Sequence, residues 1–188
     1  MITPGAEDWG ALHQRVLAFM GAFSSVQFAI DTVVGLYLKR RMPDLGSELD
    51  KQFIRRIRDD QRLPLFKAFT AEAKYDCDLT RFAMIYNRAK QVRDLIGHSL
   101  NVVGPVYSAG KQPSIAVASM ARRDRVPDPL LPSTFTRLTA DCEWLQAHVH
   151  RAGWTIEPQM FVRFTTEPHE LYEPPVPSVL PEGGEPLA

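Results

Sequence analysis

A long amphipathic pattern at the start of the chain constrains the fold most. Between Glu7 and Arg41 the apolar residues return every three or four positions, which places them on one stripe of an α-helix. A helix of this length measures roughly 50 Å. We therefore expect it to pack along more than one partner. The stripe consists of Trp9, Leu12, Val16, Phe19, Phe23, Val26, Ile30, Val33 and Tyr37, widened by Phe28, Val34 and Leu38.

Proline and polar residues predict where the next helices begin and end. Pro43 is expected to stop the first helix, and Ser47 to cap a second helix whose apolar residues run to Ile57. Pro64 is predicted to interrupt the helical pattern. A short helix over residues 65–74 follows.

Two further helices are predicted after this point. Asp76 or Asp78 can cap a helix that runs from Leu79 to about Leu100. Ser133 is expected to cap the last helix, and Gly153 to end it.

The region between these two helices, about residues 102–120, has strand-like composition around a turn, which predicts a small β-hairpin. Prolines accumulate from residue 155 onward, which favours an extended tail. We therefore predict an all-α bundle of four to five helices over residues 7–153, with a β-hairpin insertion. Residues 154–188 form a proline-rich C-terminal tail.

Composition limits the function classes. The formal net charge is zero, so nucleic acid would have to bind at a local basic patch. Cys77 and Cys142 lack metal-ligand spacing, and His148 and His150 diverge on a helix, so no metal and no cofactor are expected. The sequence has no signal-peptide pattern and no uninterrupted apolar run of membrane-spanning length, which predicts a cytoplasmic protein without a membrane partner.

The string Arg93-Asp94-Leu95-Ile96-Gly97-His98 is where the sequence indicates chemistry. An arginine can bind a phosphate, and a histidine can transfer a proton near neutral pH. These are two of the groups needed to cleave RNA without a metal.

The helix that carries this string resembles the terminal helix of the HEPN superfamily, whose signature is an arginine, four to six residues, and a histidine. Arg93 and His98 match that signature, and Asp94 stands at a polar position where asparagine is commoner. The resemblance covers roughly residues 9–150. It implies a metal-independent endoribonuclease that acts as a homodimer, with one motif helix from each chain at the same cleft. Several such proteins are toxins or parts of phage and CRISPR defence, while others only bind nucleotides or partner proteins.

Helix geometry adds a constraint of its own. Five residues turn a helix by about 140°, so Arg93 and His98 do not share a face of a regular helix. Either the helix loosens near Gly97, or the site draws groups from two chains, which would supply one histidine as base and one as acid. Asp94 lies four residues before His98 and is predicted to orient it, while Arg93 holds the scissile phosphate.

Six residues of the second helix and of the motif helix are candidates for RNA contact. Most of them lie on the outer face of the second helix, and such a face is more often simply solvated. The RNA-binding candidates are Arg55, Arg56, Arg58, Arg62, Asn87 and Lys90.

Other interpretations of the same residues remain open. His98 can be a cation that offsets the dipole of a helix C-terminus, and Lys90 and Asp94 are spaced for an ion pair. Asp31 is either a polar group of a dimer cleft or a partly exposed residue. The alternative function is a non-catalytic helical dimerisation module that binds a partner protein or a nucleotide. A third is an antitoxin-like or regulatory subunit whose tail docks elsewhere.

Overall fold

The computed structural model describes residues 6–97, 101–103, 116–118 and 130–156. In these residues the chain is mostly helical, which confirms the predicted all-α class. A single 3₁₀ turn, Ile54–Arg56, connects the second helix to the third. The five helices are α1 (Ala6–Arg41), α2 (Pro43–Gln52), α3 (Asp59–Glu72), α4 (Leu79–Gly97) and α5 (Pro132–Trp154).

Two short strands follow α4. Strand β1 (Asn101–Val103) pairs antiparallel with β2 (Ala116–Ala118), and Val102 lies opposite Val117. The residues that would join these strands, 104–115, lie outside the described part of the chain. The hairpin insertion, the HEPN-like bundle and the division at residue 153 therefore stay predictions.

Helix α1 is the element against which the others pack. Its stripe is buried from Leu12 to Val34, as the three-and-four spacing predicts. The exception is Phe28, which is 73% exposed because no described helix covers that face. Aromatic rings from every helix except α2 meet this stripe or each other. The largest buried side chains are Phe19, Phe23, Phe66, Phe82, Tyr86 and Phe135.

Helix α5 runs parallel to α1 and contacts it at both ends. Near the start of both helices, Arg15 donates to the hydroxyl of Thr136 at 2.7 Å. Near their ends, Nη1 of Arg40 donates to the carbonyl oxygen of Ile156. The last described residue therefore lies beside the C-terminal end of α1.

The predicted second helix is wrong in its bounds. Helix α2 begins at Pro43, where a proline suits the first turn, and Ser47 lies inside it. The helix ends at Gln52, and a new helix begins at Asp59 because two aspartates favour a helix N-terminus. Pro64 lies inside α3 and does not interrupt it. Proline has no N–H, so the backbone carbonyl of Asp60, four residues earlier, loses its helical donor. Asp60 is exposed, and water can donate a hydrogen bond to that carbonyl instead.

The caps of the later helices are partly as predicted. Of the two candidate caps of α4, Asp78 accepts a hydrogen bond at 2.9 Å from the backbone N–H of Arg81. Helix α5 begins at Pro132 after Leu131, so Ser133 is not its cap. A proline in the first turn supplies the helical φ without needing a capped N–H.

By length and composition alone, α1 is apolar enough to cross a membrane over Gly10–Arg41, with a mean hydropathy of 1.5 in its most apolar window. A core helix of a soluble protein meets the same criterion, and 39% of that window is buried. The cytoplasmic location and the absence of a membrane partner stay predictions.

Two glycines allow α2 to lie close on α1. A Cβ atom at Gly46 would stand 2.4 Å from the carbonyl oxygen of Leu38 and 2.6 Å from Cα of Lys39. A Cβ atom at Gly35 would stand 2.8 Å from a carboxylate oxygen of Asp50, which itself pairs with Lys39 at 2.7 Å. The close approach of α2 to α1 therefore depends on glycine at position 46. A side chain there would meet backbone atoms of α1, which cannot move aside as a side chain can.

We predict that Gly46→Ala destabilises the fold and that Gly21→Ala does not. Overpacking against backbone costs about 1–3 kcal/mol, which exceeds the gain in helix propensity. Gly21 is exposed in α1 with no atom within 4 Å of its Cβ position, so alanine there should stabilise by up to about 1 kcal/mol. Chemical denaturation measures both changes. Equal free energies of unfolding for the two variants would contradict the close crossing.

Candidate functional site

The arginine of the Arg93–His98 string lies in a network of ion pairs where α1, α3 and α4 meet. We call it the Asp59 network. Helix α3 contributes Asp59 and Arg62, and each of the other two helices adds at least one carboxylate. The remaining members are Gln27, Asp31, Lys90, Arg93 and Asp94.

Asp59 is the centre of this network. Its carboxylate accepts hydrogen bonds from Arg62, from Arg93, and from the amide of Gln27 at 3.0 Å. Burial by itself raises the pKa of Asp59. The hydrogen bond from Arg93 and the charges of Arg93, Arg62 and Lys90 outweigh burial, so its pKa lies below the ordinary 3.8. The carboxylate is ionised, and its bonds to Arg62 of α3 and Arg93 of α4 hold these two helices together.

Arg62 binds Asp31 of α1 through two parallel hydrogen bonds, both 2.9 Å long. Its side chain is only 14% exposed. Burial alone lowers the pKa of Arg62, but the bond and charge of Asp31 outweigh it and raise the pKa. Asp31 is thus part of an intramolecular pair. In the single chain Arg62 presents little surface to RNA, and its RNA-binding role stays a prediction.

Arg93 contacts two carboxylates and one aromatic ring. Nη2 donates to Asp59, and Nη1 lies 3.0 Å from Oδ1 of Asp94. The guanidinium carbon lies 5.5 Å from the centre of the Phe23 ring. The side chain is 20% exposed, and its buried Nε has no hydrogen-bond partner in the described part of the chain. The guanidinium is therefore fixed in orientation.

The other oxygen of Asp94 is engaged by Lys90, whose Nζ lies 2.7 Å away. The i,i+4 pair read from the sequence is therefore present. Together with Asp31, Asp59, Arg62 and Arg93, these two residues form a set of three cations and three carboxylates. The charges of the network balance within one chain.

His98 lies outside the described residues, since the described part of α4 ends at Gly97. The contact between Asp94 and His98, and the pairing of two motif helices, thus stay predictions. Both oxygens of Asp94 are already engaged. To orient His98, Asp94 must share or release one of these partners.

The other RNA-binding candidates do not form one helix face as predicted. Arg55, Arg56 and Arg58 lie in the 3₁₀ turn and the connection to α3, because the chain leaves the helical conformation after Gln52. The side chains of Arg56 and Arg58 are exposed, and Arg58 lies 3.4 Å from Asp60. Asn87 is exposed on α4.

A second ion pair joins α4 to α5. Arg88 donates to Asp141, which is fully buried. The other carboxylate oxygen of Asp141 has no hydrogen-bond partner among the described residues. This pair has no local signature, because its members lie 53 positions apart on different helices.

The thiols of Cys77 and Cys142 and the half-buried His148 are poor candidates for catalysis. Burial raises the pKa of Cys77 to about 11 and that of Cys142 to about 12, so both thiols are protonated at neutral pH. Burial, assisted by the charges of Arg151 and Arg81, lowers the pKa of His148 to about 4. The hydroxyl of Tyr75 and Nδ1 of the neutral imidazole form a hydrogen bond of 3.0 Å.

No group of three or more metal-ligating side chains forms a metal site within the part of the chain that the structure describes. Comparison of the chain with protein-family models, with curated proteins and with solved structures finds no match. The Asp59 network and the adjoining motif therefore have to be interpreted from their own chemistry.

We predict that Asp59→Asn destabilises the fold by about 1–3 kcal/mol, because two arginines lose their shared carboxylate at a partly exposed position. Asp60→Asn is the matched control. Its carboxylate makes one exposed pair 3.4 Å from Arg58, and its loss should cost less than about 0.5 kcal/mol.

The stability difference between the wild type and Asp59→Asn should depend on pH. Since the folded pKa of Asp59 is depressed, its contribution is fully present above about 3.8 and is lost as the pH falls through the lower folded value. Stability measured by denaturation from pH 6 to pH 2 should thus fall less steeply for Asp59→Asn than for the wild type. Identical slopes would exclude an ionised Asp59 as the centre of the network.

His148 predicts a second pH dependence in a different range. Below about 6.5 the unfolded chain protonates this histidine, whereas the folded chain keeps it neutral down to about 4. His148 alone should therefore lower the stability by about 1.4 kcal/mol per pH unit in this window, and its contribution should level off below it. His148→Gln should remove this contribution and leave the smaller slope due to His150, whose pKa burial also lowers, while substitution of the exposed His13 to glutamine should keep the full slope. Denaturation midpoints measured between pH 7 and pH 4 test this.

Proposed function

We propose that the chain is a metal-independent endoribonuclease of HEPN type that acts as a homodimer. Arg93, Asp94 and His98 are its catalytic residues. The proposal rests on the Arg-x4-His string at the end of α4 and on the way Arg93 is held there. It includes the finer features of the fold, namely a HEPN-like bundle with a hairpin insertion.

The observation that carries the proposal is the fixed orientation of Arg93. Asp59 of α3 and Asp94 of α4 hold its guanidinium from two sides, and the Phe23 ring supports it. A cation that is already oriented stabilises the charge of a phosphorane at little reorganisation cost. His98 is the residue that directly follows Gly97, the last described residue of α4.

A phosphate can gain access to Arg93 by replacing one carboxylate. The contact with Asp94 is the one to exchange, because Asp59 is also bonded to Arg62 and Gln27. Release of Asp94 from Arg93 frees Oδ1 to accept a hydrogen bond from His98. Substrate binding thereby places Asp94 in its predicted role, which is to orient the imidazole and favour its charged form.

Cleavage then uses the RNA's own 2′-hydroxyl as the nucleophile. One histidine of the dimer removes the proton of that hydroxyl, and the histidine of the second copy protonates the leaving 5′-oxygen. The products carry a 2′,3′-cyclic phosphate and a 5′-hydroxyl. No metal takes part, and a role in a toxin–antitoxin or phage-defence system, with an antitoxin as partner, accords with this chemistry.

The second candidate is a non-catalytic dimerisation module that binds a partner protein or a nucleotide. The charge balance of the Asp59 network favours it. Every cation of the network is paired within one chain, and Arg93 already contacts two carboxylates. Such a network stabilises a bundle without any substrate.

Cleavage of labelled RNA in the presence of EDTA separates the two candidates. We expect the wild type to produce cyclic phosphate ends, identified by mass spectrometry. His98→Ala should lower the rate at least 100-fold through loss of proton transfer. Arg93→Lys, which keeps the charge but loses the fork of donors, should lower it at least tenfold. His13→Ala is the control for a histidine outside the site and should leave the rate unchanged.

Thermal unfolding of each variant distinguishes lost chemistry from lost folding. A His98→Ala variant that unfolds at the wild-type temperature yet cleaves as fast as wild type would refute the catalytic assignment. Wild type that cleaves no RNA in EDTA but elutes as a dimer would favour the non-catalytic module.

A further inference from the structure

Helix α2 carries an apolar stripe on its surface. We call it the α2 stripe: Leu45 and Leu49 of the helix, with Met42 directly before it and Phe53 directly after it, which follow one another at intervals of three, four and four. Leu45 is 55% exposed and Phe53 is 64% exposed. Residues at these intervals lie on one face of a helix, so the exposed side chains are neighbours. Single exposed apolar residues are common, but a stripe of this kind marks a surface that another segment covers.

The stripe does not serve the packing of α2 on α1. That packing uses the adjacent face, where Gly46 and Asp50 lie against Leu38 and Gly35. The 3₁₀ turn adds Ile54, whose side chain is buried near Gly35. With α2 already attached by that face, the α2 stripe remains available to a second partner.

The end of the described fold contacts the end of α1, close in sequence to the start of this stripe. Arg40 donates a hydrogen bond to the carbonyl oxygen of Ile156, and Met42, the first residue of the stripe, follows Arg40 by two positions. The remaining 32 residues of the sequence, 157–188, are therefore attached to the described fold at a point beside the end of α1. Each residue spans at most about 3.3–3.6 Å, so a few residues suffice to reach the stripe.

Charge is distributed unequally between these two parts of the chain. Residues 157–188 contain six glutamates and one arginine, a side-chain charge of −5 with histidine neutral. The segment around α2, residues 39–58, contains seven basic and three acidic residues, a net charge of +4. Exposed members of the basic set include Arg41, Lys51 and Arg58. Opposite charges of this size favour association and orient it.

Residues 160–173 combine the two properties that this surface requires. Their apolar side chains are Met160, Phe161, Val162, Phe164, Leu171 and Tyr172. Glutamates at 167, 170 and 173 interrupt and follow them. Fourteen extended residues span up to about 46 Å, whereas a ten-residue helix is about 15 Å long.

We infer that residues 160–173 fold back on the same chain and cover the α2 stripe, with their glutamates facing the basic residues that flank α2. The tail acts as an intramolecular ligand of α2. Its aromatic residues bury Leu45 and Phe53, and its attachment at Ile156 keeps its effective concentration near α2 high.

Hydrogen exchange on the full-length chain tests this inference. Residues 160–173 should exchange at least tenfold more slowly than the same segment as a free peptide. The double variant Phe161→Ser with Phe164→Ser should abolish that protection and speed exchange in α2 at least threefold. Val179→Ser with Leu180→Ser is the matched control, because it removes two apolar side chains from the tail outside the docked segment, and it should change neither.

Substitutions on the other side of the contact complete the test. Leu45→Ser with Phe53→Ser removes exposed side chains only, so the bundle should stay folded while residues 160–173 lose their protection. Met84→Ser, also exposed but on α4, should have no effect. Exchange of the segment at the free-peptide rate in the wild type would overturn the inference. Protection that disappears on dilution would overturn it as well, since the stripe would then be covered by a second copy.

Discussion

The burial of one apolar stripe on α1 is the constraint on which the rest of the structure depends. Phe19 and Phe23 of this stripe meet Phe135 of α5 and Tyr86 of α4, with ring centres 6.2 and 5.4 Å apart. Because α1 is longer than any helix packed against it, α3, α4 and α5 can all pack along it. The polar groups of those helices are brought together only as a consequence. Phe23 illustrates this, since its ring fills the core and also supports Arg93.

The Asp59 network connects with polar bonds the same helices that the apolar core packs together. Asp59 bonds an arginine on its own helix and one on α4, and Arg62 extends the connection to Asp31 of α1. A phosphate that takes Arg93 away from Asp94 leaves the bonds through Asp59 in place. The network can therefore keep three helices in register while one of its contacts is exchanged. The same residues can serve stability in the free protein and phosphate binding in the proposed enzyme.

The features that the sequence predicted correctly depend on local spacing, although the local caps at Ser47 and Ser133 and the break at Pro64 were wrong. The buried stripe of α1, the helix boundary at Pro43 and the pair of Lys90 with Asp94 all follow from residues a few positions apart. Asp78 caps α4 for the same kind of reason.

Features that depend on contacts distant in sequence were missed. The second helix was predicted to continue because its pattern stays apolar to Ile57. The chain instead turns there, with Ile54 buried near Gly35 of α1. Phe28 looked like part of the stripe, but periodicity cannot show where the covering helices end. The bond of Asp59 to Arg93 spans 34 positions and has no local signature.

The formal net charge of zero argued against a general attraction for nucleic acid. It is, however, the sum of a basic and an acidic part of the chain. Residues 1–156 contain 21 basic and 16 acidic side chains, a net charge of +5, against −5 for the remaining residues. If residues 160–173 lie on α2, their glutamates face Arg56 and Arg58, which are among the predicted RNA contacts. RNA would then compete with the tail for the same cations. A net charge of zero is thus compatible with a basic surface on the described fold, because the acidic residues after 156 balance its positive charge.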